Sequence, residues 1–448
     1  MTESILIIGA GIAGINAALN VARYGIKVYL VDDTPSIGGM MARLDKTFPT
    51  NDCSICIEAP QMYEVDNHPD IEILTDTEVR RVKRANGGFK VRLVKKARYI
   101  DEEKCTGCGA CIEACPVSVP HEMDGKIGGT RKLISMPFPQ AVPNVVVLDP
   151  DCRYGRMREQ KACIGGCVVD CSQCRECPIA LCVLACQKEG KDAVRLWQSN
   201  KKLNIEVKSI IVAAGLTDAK PAAGLYGYDI YENVISYVQF ERLMNAGGPT
   251  EGHIIRPSDG EHARKIAWIQ CAGRGLEDGV PYCSKVCCMV ATKQTIITKE
   301  HDQSAETTVF YNDLKAYGKG FWDFYRKALE NGVRYVRARP YDVFEDPETR
   351  NLTVRYEDLE SGKIVEEEVE LLVLSTGLAP GERNERLAKQ LKIKLDRFGY
   401  FKEKDPLMAP LETDVDGIYV CGGATGPIDI SESVVQASAA GMKAILAG

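Results

Sequence analysis

Along the first hundred residues the apolar positions change period three times, and each change predicts an element. Ser4–Ile8 is a continuous apolar run of strand length, and Gly9–Gly14 is a turn. From Ile15 to Tyr24 the apolar residues recur at helical spacing, with Gly25 as the stop, and Lys27–Val31 is a second strand. Between Ile71 and Ala97 the period falls to two in short runs, IEILT, EVRRVKR and FKVRLVKK, around the turn Asn86-Gly87-Gly88. That pattern predicts an antiparallel meander. A cysteine-rich stretch over 101–190 interrupts it, and a strand over Ile205–Ala214 resumes the pattern and closes with AAGL at 213–216.

The same order is then repeated. Lys265–Gln270 predicts a strand, Cys283–Thr298 a helix, and Thr307–Asn312 another strand. Residues 334–369 predict a second meander turning at Glu360-Ser361-Gly362, and LLVLSTGL at 371–378 echoes IIVAAGL at 210–216. A final strand near Cys421 leads into an Ala-rich helix around 432–446. The expectation is an α/β fold with two related dinucleotide-type domains and one insert. Residues 1–100, 196–250 and 379–448 make the first domain, 251–378 the second, and 101–195 the insert, with the polar Pro/Gly stretch 246–262 as linker.

Length and charge narrow this further. A chain of 448 residues fits about two to four domains. Its formal charge of -6, from 56 basic and 62 acidic residues, excludes a generic nucleic-acid surface, which would carry a basic excess. No apolar run approaches the roughly 20 residues of a membrane span. The N-terminus enters a strand almost at once, so no signal or transit peptide is expected.

Gly9-x-Gly11-x-x-Gly14 lies between a predicted strand and a predicted helix. The first glycine permits the tight turn, the second admits a pyrophosphate against the backbone, and the third lets helix and strand pack closely. The helix N-terminus then offers free N–H groups to the phosphates. Asp32, at the end of the second strand, is placed to bind a ribose hydroxyl, and the pair Gly38-Gly39 that follows is typical of FAD rather than NAD sites. Gly215 and Gly422 end two further strands and are expected to border the cofactor. The alternative is a glycine-rich turn that holds nothing. In the second repeat the turn after the strand reads Cys271-Ala272-Gly273-Arg274-Gly275, with Gly279 one position late. Cysteines take the place of a nicotinamide loop, which argues against NAD(P)H as the direct electron donor.

Nineteen cysteines are the strongest compositional signal. With no secretion signal, metal-bound thiolates are a better reading than a disulfide framework. Cys105-x2-Cys108-x2-Cys111-x3-Cys115-Pro116 is the bacterial ferredoxin run, in which three thiolates wrap one face of a 4Fe–4S cube and the fourth often serves a neighbouring cluster. Cys152, Cys163, Cys167, Cys171, Cys174, Cys177, Cys182 and Cys186 follow, enough for one further cluster with a surplus or for two, with a structural zinc as the alternative for part of the surplus. Cys271, Cys283, Cys287 and Cys288 converge on a strand–helix junction; they are either a cluster site or buried small hydrophobes. Cys53-x2-Cys56 is a half-site, a redox dithiol or a structural pair. Cys421 is expected in the core beside the cofactor, and the five histidines read as surface or packing residues.

Together these segments resemble the A subunit of heterodisulfide reductase, a flavin and iron–sulfur protein. The resemblance covers nearly the whole chain. It rests on GAGIAGINAAL (9–19), LDKTFPTNDCSICIEAP (44–60), CTGCGACIEACPVSVP (105–120), PFPQAVP (137–143) and GPTEGHIIRPSDG (248–260). WIQCAGR (268–274), PYCSKVCCMVATKQ (281–294), DLKAYGKGFWDFY (313–325) and VCGGATGPIDISESVVQA (420–437) continue it.

The resemblance implies a thioredoxin-reductase-like flavoprotein of two dinucleotide-binding domains with an inserted ferredoxin-like module. It implies FAD and two or more 4Fe–4S clusters, three or four being the expected number. Cys271, Cys283, Cys287 and Cys288 become a ligand set, and Cys53 and Cys56 help bind a cluster. A lysine after the double cysteine, here Lys293, would lie near the flavin, where a cation stabilises the reduced, anionic ring. Glu241 is a second candidate. The implied activity is electron relay, including flavin-based bifurcation, in a cytoplasmic complex that touches the membrane only through a partner.

Partners would be B- and C-like subunits or other redox subunits, ferredoxin, and a second copy of the chain. Two departures stand out. Longer members carry an extra N-terminal domain and more C-terminal ferredoxin modules, so Cys53 and Cys56 would need ligands from elsewhere. The insert at 152–186 is also richer in cysteine than the family's second motif. The rival readings are an NAD(P)H-dependent flavoprotein reductase and a non-catalytic cluster or zinc scaffold. Within the class, the rivals are a component of a benzoyl-CoA reductase complex and the quinone-interacting oxidoreductase A subunit.

Overall fold

The computed structural model describes residues 4–446 except 86, 123, 150–151, 153–179, 278 and 360. Cys163, Cys167, Cys171, Cys174 and Cys177 lie outside the described residues.

The chain opens as a parallel strand–helix–strand unit: β1 (Ser4–Ile8), α1 (Ile12–Ala22), β2 (Lys27–Val31), α2 (Ser54–Asn67) and β3 (Ile71–Leu74). β1 is buried at every position, the pattern of a central parallel strand covered on both faces. β3 corrects one expectation. Ile71–Leu74 is not part of the meander but pairs in parallel with β2 at the sheet edge. An alternating four-residue run reads the same in either sheet.

The meander starts with the hairpin β4 (Thr77–Ala85) and β5 (Gly88–Lys95). The insert then contributes α3 (Ala110–Glu113), the pair β6 (Ser118–Pro120) and β7 (Thr130–Lys132), the pair β8 (Ile134–Ser135) and β9 (Val147–Leu148), and α4 (Leu181–Lys188). The strand expected over 205–214 is two strands serving two sheets. β10 (Lys201–Val207) pairs antiparallel with β5, and β11 (Ser209–Val212) pairs in parallel with β1.

The second unit runs from β12 (Leu216–Asp218) through β13 (Val234–Ser236), α5 (Tyr237–Met244), β14 (Lys265–Gln270), α6 (Cys287–His301), β15 (Glu306–Tyr311), α7 (Phe321–Glu330) and β16 (Arg334–Arg337). β17 (Asp342–Glu345), β18 (Leu352–Asp358) and β19 (Lys363–Val369) form its meander, and β20 (Leu371–Ser375) returns to the centre of the parallel sheet β13-β20-β14-β15-β16. This sheet takes β13 from the stretch 196–250 that the sequence assigns to the first domain. Ile254, inside the expected linker, is 2% exposed and lies in the second core. β21 (Leu378–Pro380) pairs antiparallel with β12, so two short strands join the units. α8 (Asn384–Leu391), β22 (Ile418–Val420) and α9 (Ile430–Leu446) complete the first unit, whose sheet runs β22-β11-β1-β2-β3.

Each parallel sheet has a hydrophobic cluster on both faces. A separate cluster fills the insert, and five of its buried members are Cys111, Cys115, Cys152, Cys182 and Cys186. Among the described residues no helix is long and apolar enough to cross a membrane.

Candidate functional site

The turn between β1 and α1 is shaped by close backbone approach. A methyl group on Gly14 would fall on the Gly9 carbonyl oxygen, and one on Gly39 would stand 2.8 Å from the Gly11 Cα. Gly11 and Gly38 are bridged in parallel, so the two glycine turns lie side by side. Gly422, at the end of β22, closes in from a third direction, its missing methyl 2.6 Å from the Ala13 Cβ. Gly215 ends β11 beside them and faces open space. The first turn of α1 carries no acidic residue to compete for its N–H groups. Asp32 sits at the end of β2. Its carboxylate accepts from the Ala10 N–H at 2.6 Å and from the Thr34 N–H and hydroxyl at 2.9 and 2.6 Å, which fixes it against the glycine turn. A side-chain-free cradle at a helix N-terminus, with an acid at the next strand end, fits the pyrophosphate and ribose of a dinucleotide.

Lys293 and Glu241 are brought together. They reach each other from α6 and α5 as an ion pair, each 1% exposed. The Lys293 ammonium also donates to the Lys46 carbonyl at 2.7 Å. Glu241 accepts the Asp45 N–H at 3.0 Å on one oxygen and Gln294 at 3.1 Å on the other. Gln294 accepts from the Trp268 indole at 2.9 Å and donates to the Tyr237 carbonyl at 2.8 Å. Both charges are thus paired and hydrogen-bonded, as burial requires. The pair anchors the second unit to the loop that follows Gly38-Gly39. The Asp45 carboxyl in that loop is pushed up to about 6, mainly by burial and then by Glu241.

One and a half turns before Lys293, α6 begins at Cys287, not at Cys283 as the periodicity predicts. Lys285 adopts a φ of 64°, which breaks the helix and lets Cys283 turn back. Cys271, Cys283, Cys287 and Cys288 line one cavity. Burial pushes the Cys287 and Cys288 thiols up, Cys288 to about 11, and the neighbouring thiols add to it. The four thiols thus lie close enough around one cavity to raise one another. A bound cation would reverse that balance and hold them as thiolates. Among the described residues no three His, Cys, Asp or Glu side chains could share one metal ion. A cube, whose four irons each take one thiolate, does not require that convergence.

In the insert, burial pushes Cys111 up to about 12, with Cys105, Cys186 and Cys108 as the charged neighbours. Cys186 therefore lies close to Cys111, with its helix packed on the one that carries Cys111. Cys115, Cys152 and Cys182 remain within the same core. Cys53 and Cys56 depart from their expected role as cluster ligands: they are bonded to each other as a disulfide at the start of α2, and sulfur so bonded is not available to iron. Cys421 is fully buried next to the glycine cradle.

Residues 4–53 match the FAD dependent oxidoreductase family, and residues 98–121 match the 4Fe-4S binding domain. Over 441 residues the chain is 46% identical to the iron-sulfur A subunit of CoB–CoM heterodisulfide reductase from Methanocaldococcus jannaschii, covering 98% of this chain and 63% of that protein. Over nearly its whole length the chain is similar to heterodisulfide reductase A subunits. It is also 46% identical to the A subunit of the H2/formate:CoB-CoM heterodisulfide, ferredoxin reductase of Methanococcus maripaludis, over 98% of this chain and 63% of that one. The chain thus spans a little under two thirds of these relatives. In fold it is similar to the thioredoxin reductase of Lactococcus lactis, with a TM-score of 0.51 and 14% identity over 99% of this chain and 98% of that structure. It joins a FAD-binding segment and a 4Fe–4S-binding segment on a thioredoxin-reductase-like fold.

Sequence reasoning missed several residues of this site. Gln294 and Trp268 complete the Lys293–Glu241 network, and the Tyr237 carbonyl accepts from Gln294 while its hydroxyl donates to the Gly377 carbonyl. Glu58 on α2 is fully buried with neither oxygen hydrogen-bonded, and burial pushes its carboxyl up to about 9. A single glutamate in a helix carries no sequence signal of burial.

Proposed function

We propose that this chain is the FAD and iron–sulfur electron-transfer subunit of a heterodisulfide-reductase-type complex, relaying electrons between flavin, clusters and partner subunits, with bifurcation as its fuller activity. One observation carries the reading. The buried Lys293–Glu241 pair ties the helix that begins at the four-cysteine cavity to the loop that follows the Gly38-Gly39 turn of the cradle. When bound, FAD supplies two-electron chemistry and the clusters one-electron chemistry.

The chain's own residues then have separate tasks. Gly9, Gly11, Gly14, Gly38, Gly39, Gly215 and Gly422 make room for FAD, and Asp32 holds its ribose end. Cys271, Cys283, Cys287 and Cys288 would ligate one cluster. Cys105, Cys108, Cys111 and Cys186 would ligate another, and Cys115, Cys152 and Cys182 would serve a third together with a cysteine outside the described residues. Lys293 would hold a positive charge beside the loop that leaves the cradle, in a low-dielectric surrounding, and Glu241 keeps it oriented. Components resembling the B and C subunits, and ferredoxin, are the partners this assigns.

Anaerobic purification tests it. One FAD per chain, with iron and acid-labile sulfide sufficient for two or more cubes, is expected, together with flavin reduction by reduced ferredoxin or a partner subunit. Rapid bleaching by NADPH alone would overturn the reading in favour of a self-sufficient reductase. Zinc without iron and without flavin would leave only a scaffold.

A further inference from the structure

Helix α2 buries one face, made of Ser54, Glu58, Ala59, Met62 and Val65. Two of these five are polar and have nothing to bond. Glu58 is the one carboxyl group among the described residues whose two oxygens are both buried and both without a hydrogen bond. Ser54, one turn earlier on the same face, leaves its hydroxyl in the same state. Asn51, held at a φ of 58° just ahead of the helix, buries both its amide atoms unbonded. Buried polar atoms of a folded protein are bonded to something, and here the protein itself supplies no partner.

Their position says what the partner is. Met62, one turn beyond Glu58, places its sulfur 3.3 Å from where a methyl on Gly38 would stand. Ser54, one turn before, donates its N–H to the Asp45 carbonyl at 3.0 Å, and the Asp45 N–H in turn bonds Glu241. Glu58 is therefore about 6 Å along the helix from each end of the span between the glycine cradle and the Lys293–Glu241 pair. A planar ring system leaving that cradle toward Lys293 passes this face. Its imide N–H, carbonyls and ring nitrogens are the donors and acceptors that a carboxyl and a hydroxyl can meet.

We propose that Glu58, assisted by Ser54, is the polar contact of this chain to the isoalloxazine ring of FAD, hydrogen-bonding its heteroatom edge and favouring the reduced ring. The proposal rests on the FAD reading above. A carboxyl group and a hydroxyl can between them donate and accept, and negative charge gained by the ring on reduction strengthens any bond donated to it.

The test is an anaerobic redox titration of FAD-loaded protein with Glu58→Leu and Glu58→Gln variants, followed by flavin absorbance. Glu58→Leu should lose about tenfold in its preference for reduced over oxidised flavin, a shift of about 30 mV downward for a two-electron couple. Glu58→Gln, which keeps a donor and an acceptor, should recover most of it. If Glu58→Leu does not fold, the reduced-minus-oxidised infrared difference spectrum of the wild type decides. A protonated-carboxyl band that Glu58→Gln removes supports the contact. An absent band, or one that persists in Glu58→Gln, overturns it, as does a Glu58→Leu protein whose flavin potential and spectrum are unmoved. Wild-type protein that binds no flavin at all defeats the FAD reading instead, so the two failures are distinguishable.

Discussion

The two strand–turn–helix junctions of this chain, β1 to α1 and β14 to α6, begin from one pattern and end in different chemistry. In the first, three residues separate Ile8 from Ile12, and the helix buries Ala13, Gly14, Ile15, Ala17 and Ala18, a small apolar face. In the second, the chain runs from Gln270 to Cys287 before a helix forms. That helix buries Thr292, Lys293, Gln294, Thr295 and Thr298, each at most 1% exposed. The three threonines bond backwards to helix carbonyls at 2.8 Å, and the lysine and glutamine are bonded across the fold. Stability does not require such a face, because well-packed hydrophobic residues of similar volume serve as well or better. A short glycine turn with an apolar helix makes a cradle for phosphates. A long turn with a polar buried helix makes a place for thiols and a fixed charge.

The largest expected effect separates the two junctions outright. A methyl on Gly14 would meet the Gly9 carbonyl, and one on Gly279 would meet the Gly273 carbonyl, so each turn is closed by the same backbone contact. Gly14→Val should yield protein without flavin that keeps the iron of the four-cysteine cavity. Gly279→Val should keep its flavin and lose about one cluster's worth of iron. Flavin absorbance and iron analysis of both variants check this, and parallel loss of both cofactors in each would show that the junctions do not act separately.

Next is Lys293→Met, which leaves Glu241 buried beside no cation. A loss of about 3–5 kcal/mol in unfolding free energy is expected by denaturant titration. Combining it with Glu241→Leu should restore most of that loss, because the cost lies in the unpaired charge and not in the missing contact.

This pair also shows where sequence reasoning reaches its limit. The first junction is legible because strand, glycine turn, helix and acid lie within 29 consecutive positions, Ser4 to Asp32, and each has a local physical cause. The cysteine runs are legible for the same reason. Lys293 and Glu241 stand out by resemblance alone, since a lysine among threonines on a helix reads locally as a solvated charge. Only packing against Trp268 and the loop at Asp45 makes it buried. The hydrophobic pattern places the start of α6 four residues early because the left-handed turn at Lys285 leaves no mark in it. Glu58 escapes notice because its burial depends on α2 meeting the Gly38 turn, a contact between segments.

A smaller effect probes the network behind the pair. Trp268→Phe removes the indole donor to Gln294 while keeping an aromatic ring in the second core. Leaving the buried Gln294 oxygen unbonded should cost about 1–3 kcal/mol. Calorimetry that found no destabilisation would mean that Gln294 turns to another donor, and the polar face of α6 would be less tightly specified than its geometry implies.

The smallest effect lies in pH. The folded Asp45 carboxyl titrates near 6, against 3.8 for the unperturbed group. Between those values the folded protein holds a proton that the unfolded chain has released. The Asp45 contribution to stability therefore falls as pH rises from about 4 to about 6 and is constant above that window. Asp45 is part-exposed, so water screens it and the slope should stay well below the limit of about 1.4 kcal/mol per pH unit for one proton. Asp45→Asn should remove that slope and leave the Lys293–Glu241 pair in place, because Asp45 bonds Glu241 through its main-chain N–H. An unchanged slope in Asp45→Asn would mean that another buried carboxyl holds the proton, and the loop at Asp45 would then join the two junctions through its main chain alone.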